Sequence, residues 1–492
     1  MKSLEFMFLI CLLLPIISAT ALRLNNLSQI FARKLTNVTL AIVFAFSMII
    51  PFVNDSTSFK SLFFLSSGTT YLPACISLTL FISSMLLPSN QECKRGMRYI
   101  LFVCAFDIGI LSINSIWGLP IIGLLSVIAT YKFSFNSKVY LSSHLIMILI
   151  LGFGIFLLDG LTDDFLFSKR SEWNFLNLES PGWKVWISLT ITSLAVVFQQ
   201  LYFLIRSLWT KNRNISFLIV TLLTTINFGL VVAVKLLFPI AVLYRSQYVE
   251  LINIAAITAL LFFSILTLFA STPRQLLVRL MAIQSTIVFL GFVQFNGMGE
   301  SGAVVQWIVT LLAGTGFGLC ILMFENRVGK NEFKVSSVAF EKMPRIAFLY
   351  FFFGLAMVDF PGTLGFVGED LLVHAVLNES AALGFVILLT MACTSIAIYK
   401  SFTVLFLGKK LRPNELRVDL VKREAMGMVL LVGSLVSFSF SPGIFFSDNI
   451  SQNSTDIGQN QISKPNHQTE DTEYFKNSRN LDNLTTFERV EK

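Results

Sequence analysis

The sequence predicts an all-α, polytopic membrane protein that crosses the bilayer about fourteen times. Apolar stretches of membrane-spanning length recur from Ser3 to Phe446, at roughly 20 residues per helix. Hydrophobic residues make up 54% of the chain and charged residues 13%, and the mean hydropathy is +0.73. This composition lies outside the usual range of a soluble globular protein, so lipid is the expected solvent.

The predicted spans, in chain order, are 3–21, 37–53, 71–88, 98–114, 116–130, 140–158, 183–207, 215–243, 249–270, 276–296, 303–324, 346–366, 381–407 and 424–446. Basic residues occupy the connections after odd-numbered spans, such as Arg33 and Lys34 after the first and Lys409 and Lys410 after the thirteenth. Because positively charged loops stay in the cytoplasm, both termini should face the opposite side. We expect the first helix to be retained rather than cleaved as a signal peptide, since retention preserves the alternation.

Two segments differ from this pattern in composition. The connection 159–182 is acidic and has tryptophans near its ends, which is typical of an external loop that meets the lipid headgroups. Residues 447–492 are rich in Asn, Gln, Ser, Thr and mixed charge. Such a segment lacks the apolar side chains needed to fold alone, so we expect one helical domain, 1–446, followed by a disordered tail, 447–492.

Composition also argues against several kinds of site. The six cysteines are scattered without a CxxC pair, and the chain has three histidines, so zinc or haem would find few ligands. No GxGxxG follows a predicted strand and no Walker A sequence is present, which argues against a bound nucleotide or flavin. The net charge of +8 comes from short connections between spans, so it indicates membrane topology rather than nucleic acid binding. We predict no cofactor and no metal.

Ionisable side chains inside apolar spans are the candidate functional residues, because each costs roughly 2.5–3.5 kcal/mol to insert into hydrocarbon. Lys235 lies in an apolar run four residues before Pro239, and a proline that interrupts a helix is a feature of transporter ion sites. Lys400 lies on the cytoplasmic half of the thirteenth span. Either amine could instead extend to the interface. Asp107 is an isolated acid in the fourth span, and a lysine is its expected partner.

A third group surrounds the end of the twelfth span. Asp359 precedes Glu369, Asp370 and His374, and proline and glycine between 361 and 368 predict irregular backbone, which is tolerated at membrane depth only inside protein or beside a cavity. If this segment is helical, Asp370 and His374 share a face, and a carboxylate beside an imidazole could pass protons near neutral pH. The alternative is a solvated external loop.

The segment from Met343 to Glu369 resembles a pattern of the antiporter-like membrane subunits. That family includes the proton-pumping subunits of respiratory complex I and the large subunits of multisubunit sodium/proton antiporters. The resemblance is carried by Pro361, by Gly365-Phe366 and by Glu369, which match a Pro-(x)n-Gly-Phe-(x)n-Glu pattern. Residues 276–285 look like the family's Lys/Arg-Leu-x-Ala-Tyr-Ser-Ser segment, and residues 398–408 look like the end of its twelfth helix.

The resemblance implies an inverted-repeat bundle of fourteen helices with broken helices and both termini outside. It also implies a proton-translocating subunit of a larger complex, of the NADH:quinone oxidoreductase type, whose redox chemistry lies on other subunits. Helix counting matches Lys235 to the family's eighth-helix lysine. The expected partners are other membrane subunits and the lipid bilayer, without nucleic acid, and the expected location is the bacterial inner membrane.

Three alternatives stay open at the level of sequence. The chain could serve a multisubunit cation/proton antiporter or a proton-coupled inorganic-carbon transporter. It could also be a structural subunit that conducts nothing, which is favoured by the absence of an acidic residue from the fifth span, 116–130, where the family carries a central glutamate.

Overall fold

The computed structural model describes residues 2–24, 28–53, 69–87, 93–133, 138–158, 183–208, 215–238, 245–328, 340–377, 380–408 and 419–445. These belong to one compact unit, Met1–Phe446. The acidic connection, the polar tail and Pro239 lie outside the described residues. Within them the regular structure is helical: α1 Lys2–Leu24, α2 Gln29–Val53, α3 Leu72–Leu86, α4 Cys93–Ser112, α5 Gly118–Phe133, α6 Lys138–Leu158, α7 Trp183–Leu208, α8 Ile215–Val232, α9 Arg245–Leu268, α10 Pro273–Val293, α11 Gly297–Val328, α12 Pro344–Ala356, α13 Leu364–Leu377, α14 Ala381–Phe406 and α15 Lys422–Phe440. A π-helical turn, Ala233–Leu237, extends α8, and a 3₁₀ turn, Pro442–Phe445, follows α15.

The chain is an integral membrane protein. Among the described residues, eight helices are long and apolar enough to cross a membrane, and five shorter helices are also apolar. The all-α polytopic fold is therefore confirmed, whereas the count of fourteen crossings stays a prediction.

Several predicted boundaries differ from the structure, and two of the differences change the interpretation of the sequence. The second span begins at Gln29 rather than residue 37, because α2 continues into the basic segment, where Arg33 donates a hydrogen bond to the Leu87 carbonyl at 2.8 Å. The twelfth span is two helices, α12 and α13, separated by residues 357–363. The second half therefore continues as a helix to Leu377, which excludes the solvated-loop alternative for Glu369, Asp370 and His374.

Helices α8, α10 and α11 form the centre of the bundle. In their most apolar windows 89%, 94% and 100% of residues are buried, against 33% or less for α1, α2, α9 and α15. Three glycines of α11 allow this packing: a Cβ on Gly314 would meet Met281 of α10, one on Gly316 would meet Phe353 of α12, and one on Gly318 would meet Ile219 of α8. These glycines therefore allow close contact between helices.

Ion pairs join the ends of the central helices. Arg274 of α10 binds Glu325 of α11 through two hydrogen bonds, the Nε to Oε1 distance being 2.6 Å, and both side chains are buried. Arg327, near the end of α11, pairs with Glu424 in the first turn of α15. These contacts hold one end of α11 against its neighbours α10 and α15.

Candidate functional site

The first buried polar group of the bundle centres on Asp107 of α4. Its Oδ2 accepts a hydrogen bond from Asn227 Nδ2 of α8 at 3.1 Å, and Asn227 Oδ1 accepts one from Trp307 Nε1 of α11 at 3.0 Å. All three side chains are buried, and Asp107 Oδ1 has no hydrogen-bond partner among the described residues. The partner of this acid is thus an amide rather than the lysine that the sequence suggested.

Lys235 lies in the π-helical turn that extends α8. Its side chain is 8% exposed, and Nζ donates a hydrogen bond to the carbonyl of Ile113 at 2.8 Å, at the corner between α4 and α5. Single π-turns inside α-helices occur frequently at functional sites. Lys235 follows Asn227, the partner of Asp107, by eight residues, about 12 Å along the helix. Lys235 and Asp107 therefore lie about two helical turns apart along the contact between α4 and α8.

A second buried polar group fills the break between α12 and α13. Asp359 is 2% exposed, and its Oδ1 and Oδ2 lie 2.8 and 2.9 Å from Gln306 Nε2 of α11. Gln306 Nε2 also lies 2.6 Å from Gln284 Oε1 of α10, and Gln284 donates to the Met357 carbonyl at 2.7 Å. Gln284 therefore belongs to this cluster.

The backbone at this break is held in a sparsely populated conformation. Asp359 has a φ of +57°, which is uncommon for a residue with a side chain, and Gly362 has a φ of +94°. The Asp359 carboxylate fills the space beside Gly365, where a Cβ would lie 2.2 Å from Oδ1. It therefore lies against the first turn of α13, where a helix dipole favours negative charge. Strained residues of this kind persist where the surroundings enforce them, and they cluster at functional sites.

The three ionisable residues of α13 lie in different environments. Glu369 is half-buried and within electrostatic range of Asp359. Asp370 and His374 share a face, as predicted, with Oδ1 and Nε2 3.6 Å apart, but their side chains are 58% and 63% exposed. Glu369 is thus partly covered by the bundle, whereas the Asp370–His374 pair is exposed on its outside.

Lys400 lies at the edge of the bundle. Its side chain is exposed, and Nζ donates to the carbonyl of Leu268, the last residue of α9, at 3.3 Å. A cation at this position is stabilised by the partial negative charge of a helix C-terminus. Of the seven ionisable residues singled out from sequence, Asp107, Lys235 and Asp359 are buried in the bundle and Glu369 is half-buried. Lys400, Asp370 and His374 lie on its outside.

The two buried groups are joined through neighbouring residues of α11. Gln306 points to Asp359 and Trp307 points to Asn227, so one peptide bond and the hydrogen bonds on either side connect two buried acids. We call this set the polar axis; its members are Asp107, Asn227, Trp307, Gln306, Gln284 and Asp359.

A branch from α7 reaches the same axis. Gln200 Nε2 donates to Ser285 Oγ of α10 at 3.1 Å, next to Gln284. Three buried atoms along this route, Gln199 Nε2, Gln200 Oε1 and Gln306 Oε1, have no hydrogen-bond partner among the described residues. Buried polar atoms in proteins are normally paired with protein or ordered water. The route is therefore polar enough to hold water inside an apolar bundle.

Sequence reasoning did not select Asn227, Trp307 or Gln306. An amide in the middle of an apolar span is a usable signal, since its polar atoms need partners there. Tryptophan gives no such signal because it is common in packed helices. In the part of the chain that the structure describes, no group of three or more His, Cys, Asp and Glu side chains could hold a metal ion.

A helical membrane bundle with buried charges, a broken helix and a polar axis defines a class: membrane proteins whose internal ionisable residues mark an ion pathway. No protein-family model matches the chain. Subunit M of NADH-quinone oxidoreductase from Rhodobacter capsulatus is 26% identical over 135 residues, 27% of this chain and 26% of that protein. Chain 4 of NADH-ubiquinone oxidoreductase from Chondrus crispus is 26% identical over 161 residues, 30% of this chain and 31% of that protein.

The chain covers less than half the length of these curated relatives; the subunit M of Rickettsia felis aligns over 44% of both proteins at 22% identity. Solved structures match over a greater length. A chain of respiratory complex I from Thermus thermophilus with bound NADH has a TM-score of 0.77 at 17% identity, covering 89% of this chain and 96% of that one. A chain of the Mrp complex from Dietzia sp. DQ12-45-1b has a TM-score of 0.70 at 15% identity, covering 91% and 98%. The chain has the fold that these membrane subunits share.

Proposed function

We propose that this chain is a proton-translocating membrane subunit of a multisubunit complex of the NADH:quinone oxidoreductase type. The observation that carries the proposal is the polar axis, which joins buried acids on α4 and in the α12–α13 break across the centre of the bundle. The fold shared with a chain of respiratory complex I and the relatedness to its subunit M support the assignment to that kind of complex. Other subunits of the complex supply the redox chemistry.

The buried ionisable residues have distinct roles in this proposal. Lys235, Asp107, Asp359 and Glu369 bind and release protons, while Asn227, Gln306 and Gln284 hold the carboxylates in position and lead water between them. A proton that reaches Asp107 or Asp359 neutralises a charge within the low-dielectric centre of the bundle. This change alters the electrostatic interactions of the next group along the polar axis. Lys400 and the Asp370–His374 pair lie outside this route and face lipid or neighbouring membrane subunits.

The complex lies in the bacterial inner membrane in this proposal, with both termini of the chain on the non-cytoplasmic side. A second candidate function is that of a subunit in a multisubunit cation/proton antiporter, which is favoured by the likeness to a chain of the Mrp complex. The two functions differ in the driving reaction. Proton movement by the purified complex in vesicles would require NADH and a quinone in the first case and a cation gradient in the second.

Lys235 provides the central test. Lys235→Ala should abolish proton uptake into vesicles that contain the assembled complex, because it removes the amine of the α4–α8 contact. Lys235→Arg should fail as well, because guanidinium does not release its proton. Lys184→Ala changes an exposed lysine at the start of α7 and is the matched control. Full uptake by Lys235→Ala at equal expression would favour a structural subunit that conducts nothing.

A further inference from the structure

His144 of α6 is a buried titratable residue that the polar axis does not include. Its side chain is 3% exposed and its ring packs edge-on against Tyr202 of α7, with ring centroids 4.7 Å apart. Nε2 lies 3.0 Å from Thr225 Oγ1 of α8 and Nδ1 lies 3.3 Å from Ser143 Oγ. The imidazole thus has a hydroxyl group beside each ring nitrogen.

The direction of the hydrogen bonds around Thr225 fixes the neutral form of the ring. Thr225 donates its single hydroxyl hydrogen to the Thr221 carbonyl at 2.7 Å. Its oxygen must therefore accept from His144, which places the ring proton on Nε2 and leaves the lone pair on Nδ1. Nδ1 faces the hydroxyl of Ser143, which can donate to the bare nitrogen or accept from a protonated one. Both charge states of the ring therefore have a hydrogen-bond partner.

The position of His144 on the bundle connects it with the polar axis. Thr225 and Asn227 are two residues apart on α8, about 3 Å of rise and on opposite sides of the helix. His144 thus contacts α8 at the level where Asp107 and Trp307 contact its other side. On α7, Gln199 precedes Tyr202 by about one turn and lies against Gly229 of α8, with its buried Nε2 lacking a described partner.

From these contacts we propose that His144 is a proton-carrying residue that extends the polar axis to the α6 side of the bundle. A proton forms an N–H bond at Nδ1, which makes the ring an imidazolium, and the same bond breaks when the proton leaves to a water molecule; no electron is transferred. Imidazole suits this role because it exchanges protons near neutral pH. The titratable group against the ring is Tyr202, Arg206 follows one turn later on α7, and α8 contributes Thr225.

The inference rests on the proposed function, so the test must distinguish failure of the inference from failure of the proposed function. His144→Gln keeps an amide donor for Thr225 but cannot carry a proton, and His144→Glu restores a titratable group. We expect His144→Gln to lower proton uptake about a hundredfold, the lower end of the range for losing a positioned proton-transfer group, and His144→Glu to recover part of it. Normal uptake by His144→Gln, or equal losses in both variants, overturns the inference. Proton uptake by Glu369→Gln is measured alongside. If Glu369→Gln loses uptake and His144→Gln does not, this inference alone is rejected. If neither variant loses uptake, the proposed function is rejected.

A second measurement does not depend on activity. The chain has three histidines, so the variant His374→Gln/His467→Gln leaves His144 as the sole imidazole for ¹⁵N labelling. In liposomes, the ring should show a proton on Nε2 at high pH and gain one on Nδ1 as the pH is lowered. A ring that stays neutral wherever the protein remains folded would show that His144 only packs, and would overturn the inference even if His144→Gln lowers uptake.

Discussion

At the scale of single residues, chemical type alone does not separate a functional group from a surface group. Glu369 and Asp370 are neighbouring acids of α13, yet the first is half-buried near Asp359 and the second points outward to His374. Successive residues of a helix are about 100° apart, so the rotation of α13 decides which acid enters the bundle. Asp359, two residues before the proline, is buried like Asp107 of α4.

Replacing Asp359 separates its charge from its backbone role. Asp359→Asn should fold, because asparagine tolerates the left-handed conformation and its amide can pair with Gln306. It should nevertheless lose proton uptake, since it carries no titratable group. Asp359→Gly should keep or slightly raise the thermal midpoint in detergent, because it relieves backbone strain of about 1–3 kcal/mol, and should also lose uptake. Wild-type uptake by Asp359→Asn would exclude this acid from the pathway.

At the scale of helices, the sequence predicted most of the spans but not the contacts between their buried polar side chains. Lys235 could be found because one charge stands in an apolar run, and the break after α12 because proline and glycine cluster there. The pairing of Asp107 with Asn227 joins residues 120 positions apart, and no local pattern encodes such a contact. The early start of α2 was missed because basic residues such as Arg33 and Lys34 are typical of a loop between spans. The structure shows that the Leu87 carbonyl accepts a hydrogen bond from Arg33, which the sequence does not reveal.

The packing of α11 gives a prediction at this scale. A Cβ at position 316 would lie 2.3 Å from the ring of Phe353, so Gly316→Ala should push α12 away from α11. Overpacking of this kind typically costs about 1–3 kcal/mol, and the thermal midpoint in detergent should fall. Gly433→Ala on α15, where a Cβ meets nothing within 4 Å, is the matched control and should be neutral. Equal midpoints for the two variants would contradict the close packing at Gly316.

At the scale of the whole molecule, orientation follows from the distribution of basic residues over the connections, and it stays a prediction. Single cysteines introduced at Gly329 and Lys410 should react with a reagent confined to the cytoplasmic side, and one at Asp164 should react only from outside. Four of the six native cysteines, at 11, 75, 104 and 320, are buried, so Cys93 and Cys393 are replaced by serine to lower the background. Labelling of positions 164 and 410 from the same side would reject the fourteen-span topology.

The polar tail gives a second test at this scale. Deletion of residues 450–492 should leave membrane insertion and the thermal midpoint in detergent unchanged, because the segment lacks apolar side chains with which to pack. The comparison is between the truncated and full-length chains, each measured in isolated membranes. A truncated chain that disappears from the membrane would show that the tail binds another part of the complex.

The uninterrupted course of α11 has a mechanical consequence for the two acids. Gln306 and Trp307 are consecutive, lie about 100° apart around one helix axis, and contact Asp359 and Asn227 respectively. A small rotation of α11 therefore alters both contacts in the same movement, and neither can change without strain at the other. Communication between the two ends of the axis would then need no moving loop, and the ion pairs that Arg274 and Arg327 form at one end of α11 would oppose its rotation.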